Sequence, residues 1–280
     1  MRGKLLVLAV AAVLLSSAVL AQSTHRKEFK RTVAFEPEGY LTLETYKGSI
    51  RLSSWEQNQV EITAEIEPAE DTSEEYARRS VEATEVDVWG SGRSLRVRSD
   101  YDGVPCEERF PWPGCSKTLP YVHYVIRAPR KLSLRIKDHK SEIDVTDLEG
   151  RLELETYKGT LRGQGLAGDV RLESYKGIVK ALDLRGRVRA ETYKGEMTLE
   201  ARTLDGPSRL ETYKGAIELR VAATQPLTVR GEIGRRADFV SDFEMAMRAL
   251  GGERLEGHIN GGGPELEVNS HRGTIRLRRR

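Results

Sequence analysis

The sequence is poor in most of what marks a small-molecule enzyme or a nucleic-acid binder. Two cysteines, Cys106 and Cys115, are too few for a disulfide framework or a multi-cysteine metal site. Ten prolines beside 26 glycines exclude a collagen-like or proline-rich chain. No P-loop, dinucleotide fingerprint or nucleophile elbow is present. Net charge is lacking as well: 45 Lys and Arg face 43 Asp and Glu. Without Arg2 and Lys4 the two signs balance, so no overall field favours nucleic acid or an anionic membrane as partner. Beyond residue 21, no stretch approaches the roughly 20 apolar residues that cross a bilayer.

What is present begins with a leader. Met1 to Ala21 has a short basic start, an apolar run from Leu5 to Leu15 and small residues at its end, the three-part pattern of a cleaved signal peptide. No cysteine lies near the cleavage point to take a lipid anchor. The expected destination is the periplasm or the outside medium, with no stable membrane insertion after cleavage. In an exported chain, Cys106 and Cys115 in one Pro- and Gly-rich loop read as a loop-closing disulfide. Glu107 and Glu108 alone would not complete a metal site there.

The dominant feature is a repeat. LETYKGSI (from Leu43), LETYKGTL (Leu154), LESYKGIV (Leu172), AETYKGEM (Ala190) and LETYKGAI (Leu210) are close copies of one sentence. Tyr157, Tyr175, Tyr193 and Tyr213 are 18, 18 and 20 residues apart. His139 in IKDHKSEI and His271 in VNSHRGTI fall in the same frame as degenerate copies. Between copies the alternation has period two: Val170, Leu172 and Ser174 share one face, Arg171 and Glu173 the other. A second turn follows Leu148, Leu166, Leu184 and Leu204. Units this small cannot bury an apolar face alone and must stack.

The pattern predicts an all-β chain: a single β-solenoid with about 18-residue coils and one short helix near its N-terminal part, over 71–84. Its inward ladder would be Leu154, Leu172, Ala190 and Leu210, flanked by the hydroxyls of Thr156, Ser174, Thr192 and Thr212 bonding turn backbone. Gly159, Gly177, Gly195 and Gly215 would supply a positive φ to the turn. We expect a signal peptide at 1–21, a linker at 22–34, capping strands with the helix and the cysteine loop at 35–134, and repeats with an atypical ending at 135–280.

The candidate surface is the pair of columns Tyr46, Tyr157, Tyr175, Tyr193, Tyr213 and Lys47, Lys158, Lys176, Lys194, Lys214. At strand spacing, such rings stack. One reading is purely architectural, with the lysines neutralised by Glu155, Glu173, Glu191 and Glu211. The other is an elongated surface of aromatic faces and ammonium groups that grips a glycan or acidic polymer. Trp112, with Phe110, Tyr121 and Tyr124, forms a second candidate, either a contact patch or a lid over the repeats. Asp138, His139, Asp144 and Asp147 lie close in sequence, but strand alternation scatters them, and no metal or cofactor is expected.

Several stretches carry a further resemblance: SSWEQNQVEIT from Ser53, HYVIRAPRKLSLRIKDHKSEIDV from His123, the LEGRLELETYKGTL repeats, and GHINGGGPELEVNSHRGTIRL from Gly257. Over Phe35 to Leu277 the chain resembles the bacterial exported putative-adhesin family of β-strand-repeat proteins, a domain of unknown function related to adhesin-like head domains. That resemblance implies a non-enzymatic cell-envelope scaffold or binding module, whose partner would be an envelope glycan or a surface or membrane protein. The alternatives are a regulatory partner in envelope-stress sensing and a polysaccharide-active β-helix enzyme. The Tyr-Lys pair before the glycine departs from the family's small polar pair.

Overall fold

The computed structural model describes residues 25–108, 115–251 and 253–280. The N-terminal part contains β1 (Lys27–Trp55), β2 (Gln59–Glu67), α1 (Glu74–Ala83), β3 (Glu85–Asp100), β4 (Glu107–Glu108), β5 (Cys115–Ser116) and β6 (Tyr121–Pro129). The repeats supply β7 (Ser133–Thr146), β8 (Glu149–Thr156), β9 (Thr160–Gln164), β10 (Ala167–Ser174), β11 (Ile178–Thr192), β12 (Glu196–Leu204), β13 (Ser208–Thr212) and β14 (Ala216–Val221). The ending holds β15 (Leu227–Ile233), β16 (Asp238–Ser241), β17 (Ala246–Gly251), β18 (Arg254–Ile259), β19 (Glu265–Ser270) and β20 (Thr274–Arg279). The fold is all-β with one short helix.

Parallel pairing links each copy of the repeat to the next. Leu154, Leu172 and Ala190 are register partners across β8, β10 and β11, as are Glu155, Glu173 and Glu191. β7 lends Leu134–Asp138 to β8 and Glu142–Thr146 to β9, and β11 lends residues 185–192 to β10 and 178–182 to β9. Because β7 and β11 each carry on round a corner, β7, β8, β10, β11 and β9 form a closed circuit of five parallel strands, with the remaining strands outside it. The expectation of a single solenoid is thereby reduced to the coarser statement: an all-β array with a closed parallel core.

Alternation places the core where the period of two requires it. Leu154, Leu172, Ala190 and Leu210 are at most 2% exposed, and the corner leucines 148, 166, 184 and 204 are equally buried. Burying each such leucine contributes about 1.5–3 kcal/mol, which a lone copy of the repeat could not realise.

The ends differ from the middle, as the broken period implies. The segment expected to be a linker is already strand from Lys27, where Lys27 to Ala34 pair antiparallel with β2. Its buried Val33 shows why: alternation begins earlier than the motif does. Ser73 caps α1 by accepting the Tyr76 amide at 3.2 Å, and Glu74 and Glu75 sit in its first turn. No basic residue occupies the last turn, but Lys27 donates to the Glu82 and Thr84 carbonyls at 3.1 and 2.9 Å. Near the other end β17 and β18 form an antiparallel pair set against β15. β19 and β20 then resume parallel pairing on β13 and β14.

Four glycines of the Tyr-Lys-Gly turns correct the expectation of a positive φ, which Gly48 of the first copy does adopt. Gly159, Gly177, Gly195 and Gly215 do not adopt one. A Cβ on Gly177 would instead lie 2.2 Å from the Gly159 carbonyl oxygen of the neighbouring copy, and one on Gly195 2.2 Å from that of Gly177. The constraint is close approach of backbone to backbone. Gly177→Ala is therefore expected to destabilise by more than about 2 kcal/mol in urea unfolding. Gly261→Ala, which meets nothing within 4 Å but has a φ of +84°, should lose about 1–2 kcal/mol.

Candidate functional site

The motif's threonine or serine builds its own turn. The Thr156 hydroxyl accepts the Gly159 amide at 3.0 Å, Ser174 that of Gly177 at 2.7 Å, and Thr192 that of Gly195 at 2.8 Å. Ser270 repeats the bond to Gly273 at 3.1 Å. In the degenerate copy Asp138 takes the hydroxyl position and accepts from the Ser141 amide at 2.7 Å and from Thr156 at 3.1 Å. Burial pushes its carboxyl above the usual range, against the pull of the Ser141 and Thr156 bonds.

Strand-like pairing continues through the turn. The Tyr175 amide bonds the Thr156 carbonyl at 3.2 Å, and the Lys176 amide the Tyr157 carbonyl at 2.9 Å. The same bonds recur for Tyr193 and Lys194 and for Tyr213 and Lys214, and Arg272 bonds Tyr213 in the same way. Equivalent side chains are thus held one strand spacing apart. Seven rings stack in order: Tyr46, His139, Tyr157, Tyr175, Tyr193, Tyr213 and His271. Centroids are 4.5 to 4.8 Å apart and planes within 10° of parallel. The two histidines belong to the column as its degenerate members.

This packing overturns part of the functional expectation. Each ring between the two ends has both faces covered, so the tyrosines offer rims and hydroxyls, not faces. His271 closes the column and is exposed. In the copy beyond it, Gly234 donates to the Ser270 carbonyl at 2.8 Å and brings no ring.

The lysines flank the column. Nζ of Lys158, Lys176, Lys194 and Lys214 lies 5.3 to 5.8 Å from the centroid of the preceding tyrosine. The expected neutralisation by Glu155, Glu173, Glu191 and Glu211 does not occur. Among the described residues those four lysines make no ion pair, whereas Arg171 holds Glu173 and Arg209 holds Glu211. Glu173 and Glu211 are instead committed to the arginines two residues before them. Lys47 departs from the row. Its ammonium lies 4.1 Å from the Tyr121 centroid, and burial, then the charge of Lys140, hold it below the usual lysine value against the pull of Glu70.

Two members of the row escaped the sequence reading. Lys140 and Arg272 follow His139 and His271 as lysine follows tyrosine, and the register places Lys140 beside Lys47. The signal was available in the HK and HR dipeptides of the degenerate copies.

On the other side of the rings, a groove of about 430 Å³ is lined by Tyr157, Tyr175, Tyr193, Glu155, Glu173 and Glu191. Glu191 is raised above the usual carboxylate value, first by burial and then by the charges of Glu173 and Glu211. Among the described residues no group of His, Cys, Asp and Glu could hold a metal. In the second candidate patch, Phe110 and Trp112 lie outside the described residues. Tyr124 is core, 0% exposed, with its hydroxyl 2.7 Å from that of Ser99. Tyr121 covers Lys47. The cysteine loop is based on β4 and β5, which pair antiparallel, and no free cysteine occurs among the described residues. The side chain of Cys115 lies outside them.

No family model and no curated protein matches the chain. Solved structures do. A "putative cell adhesion protein" from Clostridium sporogenes is 12% identical with a TM-score of 0.39, the match covering 91% of this chain and 100% of that one. A "putative adhesin" from Bacteroides fragilis is 12% identical at 0.37, covering 91% and 97%. Another from Parabacteroides merdae is 8% identical at 0.29, covering 90% and 96%. Among the described residues no helix is long and apolar enough to cross a membrane.

Two outcomes follow for stability. Tyr175→Ala removes two stacked pairs and should lose about 1–3 kcal/mol in urea unfolding, about twice the loss for Tyr46→Ala, which removes one. Glu191→Gln should stabilise at neutral pH, because a carboxyl raised in the folded state opposes folding once ionised. Thermal melts should show that gain shrinking as pH falls through the ordinary glutamate range.

Proposed function

We propose that the chain is an exported, non-enzymatic, adhesin-like β-repeat protein that serves the cell envelope as a scaffold or binding module. The observation that supports it best is the seven-ring column with its companion row of unpaired cations. Catalysis needs one place where groups of different character converge. Here one chemistry recurs copy after copy along a straight edge, which suits a repeating or extended ligand.

In this reading the closed circuit and the ladders beyond it are successive coils, about 18 residues each, of one β-solenoid. Residues 35–134 cap it and 135–280 form its coils and ending. The register partners 18 residues apart favour this arrangement, as do the corners inside β7 and β11. The leader Met1–Ala21 is removed on export to the periplasm or beyond. Cys106 and Cys115 form a disulfide across the base of their loop, a pairing favoured by the β4–β5 ladder. The partner is an envelope glycan or a surface or membrane protein.

Co-sedimentation with cell-wall and polysaccharide fractions tests the role. The parent chain should pellet with one of them. A Tyr157, Tyr175, Tyr193→Ala variant that keeps its β-type circular dichroism should pellet less. Absence of the parent from every pellet would remove the reading. Alkylation before reduction should add no mass to either cysteine, and after reduction should label both.

A further inference from the structure

We infer that the cation row is a binding edge for a linear acidic glycan, laid along the stack and held by charge and phenolic hydrogen bonding rather than by ring stacking. This rests on the binding-module reading above and names its ligand class.

The row consists of Lys140, Lys158, Lys176, Lys194, Lys214 and Arg272, all exposed. The turn bonds described above hold their backbones in sequence, so the row runs five strand spacings, roughly 24 Å. Among the described residues none of the six side chains has a hydrogen bond or ion pair. The row four residues before the rings is managed differently: Arg171, Arg189 and Arg209 stack in register there too, but most of its charges are held by acids. There Arg135 and Arg171 flank Glu153 in register, and Arg135 reaches Glu153 at 3.4 Å. Arg209 meets both Glu211 and Glu267.

Stacked like charges repel, and an edge needed for architecture alone would tie its cations to acids, as Arg135, Arg171 and Arg209 of that neighbour are tied. Six cations in single file therefore disfavour the free protein, and an anionic polymer of matching run relieves them. The balanced net charge means that this attraction is local to the row.

The rings decide between polyanions. Proteins that grip single-stranded nucleic acid add base stacking on aromatic faces to the phosphate electrostatics, and here those faces are occupied by neighbouring rings. What remains are phenolic hydroxyls on Tyr157, Tyr175, Tyr193 and Tyr213, which have no partner among the described residues. They can donate to carboxylate or sulfate groups lying beside the ammonium row. A flat anionic membrane would press on Glu155 and Glu191 across the rings, both exposed, whereas a narrow chain can follow the row alone.

The test titrates the full purified chain with polygalacturonate, dextran and oligothymidylate at several salt concentrations. Polygalacturonate should bind, its log affinity falling against log salt with a slope near about −4 for six contacts. Lys158→Gln, Lys176→Gln, Lys194→Gln together should bring the slope to about −2 and leave Tm at low salt equal or higher. Dextran should not bind. An unchanged slope in the triple variant, equal binding of dextran, or tighter binding of oligothymidylate would each overturn the inference. If the chain still pellets with cell-wall fractions in that event, the ligand class falls and the binding-module reading stands. If it pellets with none, both fall.

Discussion

Parallel pairing between successive copies of the motif is the constraint on which everything else rests. It sets one distance, that between neighbouring strands, and imposes it on every equivalent side chain. That distance happens to suit aromatic rings, which stack well at 4.5 Å and beyond. It leaves no room for a Cβ where two turn backbones meet, hence the glycines. It also brings hydroxyl over hydroxyl on the inside, where Thr156, Ser174, Thr192 and Ser270 serve their own turns, while the Thr212 hydroxyl, expected to do the same, is buried without a partner among the described residues.

The same distance is unfavourable for charge, and the protein treats its charged rows in different ways. Arginines and glutamates share one row, and Arg135, Arg171 and Arg209 reach acids in it or in the row beside it. The glutamates beside the rings are partly held by neighbouring arginines, and Glu191, surrounded by like charge, is raised. The lysine row has no such relief among the described residues. A row that repeats a repulsive arrangement at every copy adds nothing to the fold's stability, and this separates it from the ring column, whose stacking stabilises the fold.

The repeat, its period and its inward faces were legible in the sequence because alternation and spacing are local properties. The helix was legible for the same reason, through Ser73 and the acidic residues after it. The strand at Lys27 to Ala34 was not, since its partner lies in β2 and nothing within the segment announces the pairing. The glycine's role is not legible in the sequence, because a turn with positive φ and a turn crowded by its neighbour require the same residue. Tyr124 falls by sequence within the loop patch, yet its hydroxyl bonds Ser99 and its ring is core. Lys140 and Arg272 were visible in principle but hidden behind degenerate copies.

The sequence by itself determined that rings, lysines, glycines and inward hydroxyls recur at one period, since that is written in the order of residues. Only the tertiary structure decided that the ring faces are consumed by one another and that, among the described residues, the lysines form no ion pair with the glutamates. It also decided that the strands turn corners and close a parallel circuit. These depend on which side of a turn a side chain leaves from and on what the adjacent copy places there, and neither is a property of any one copy.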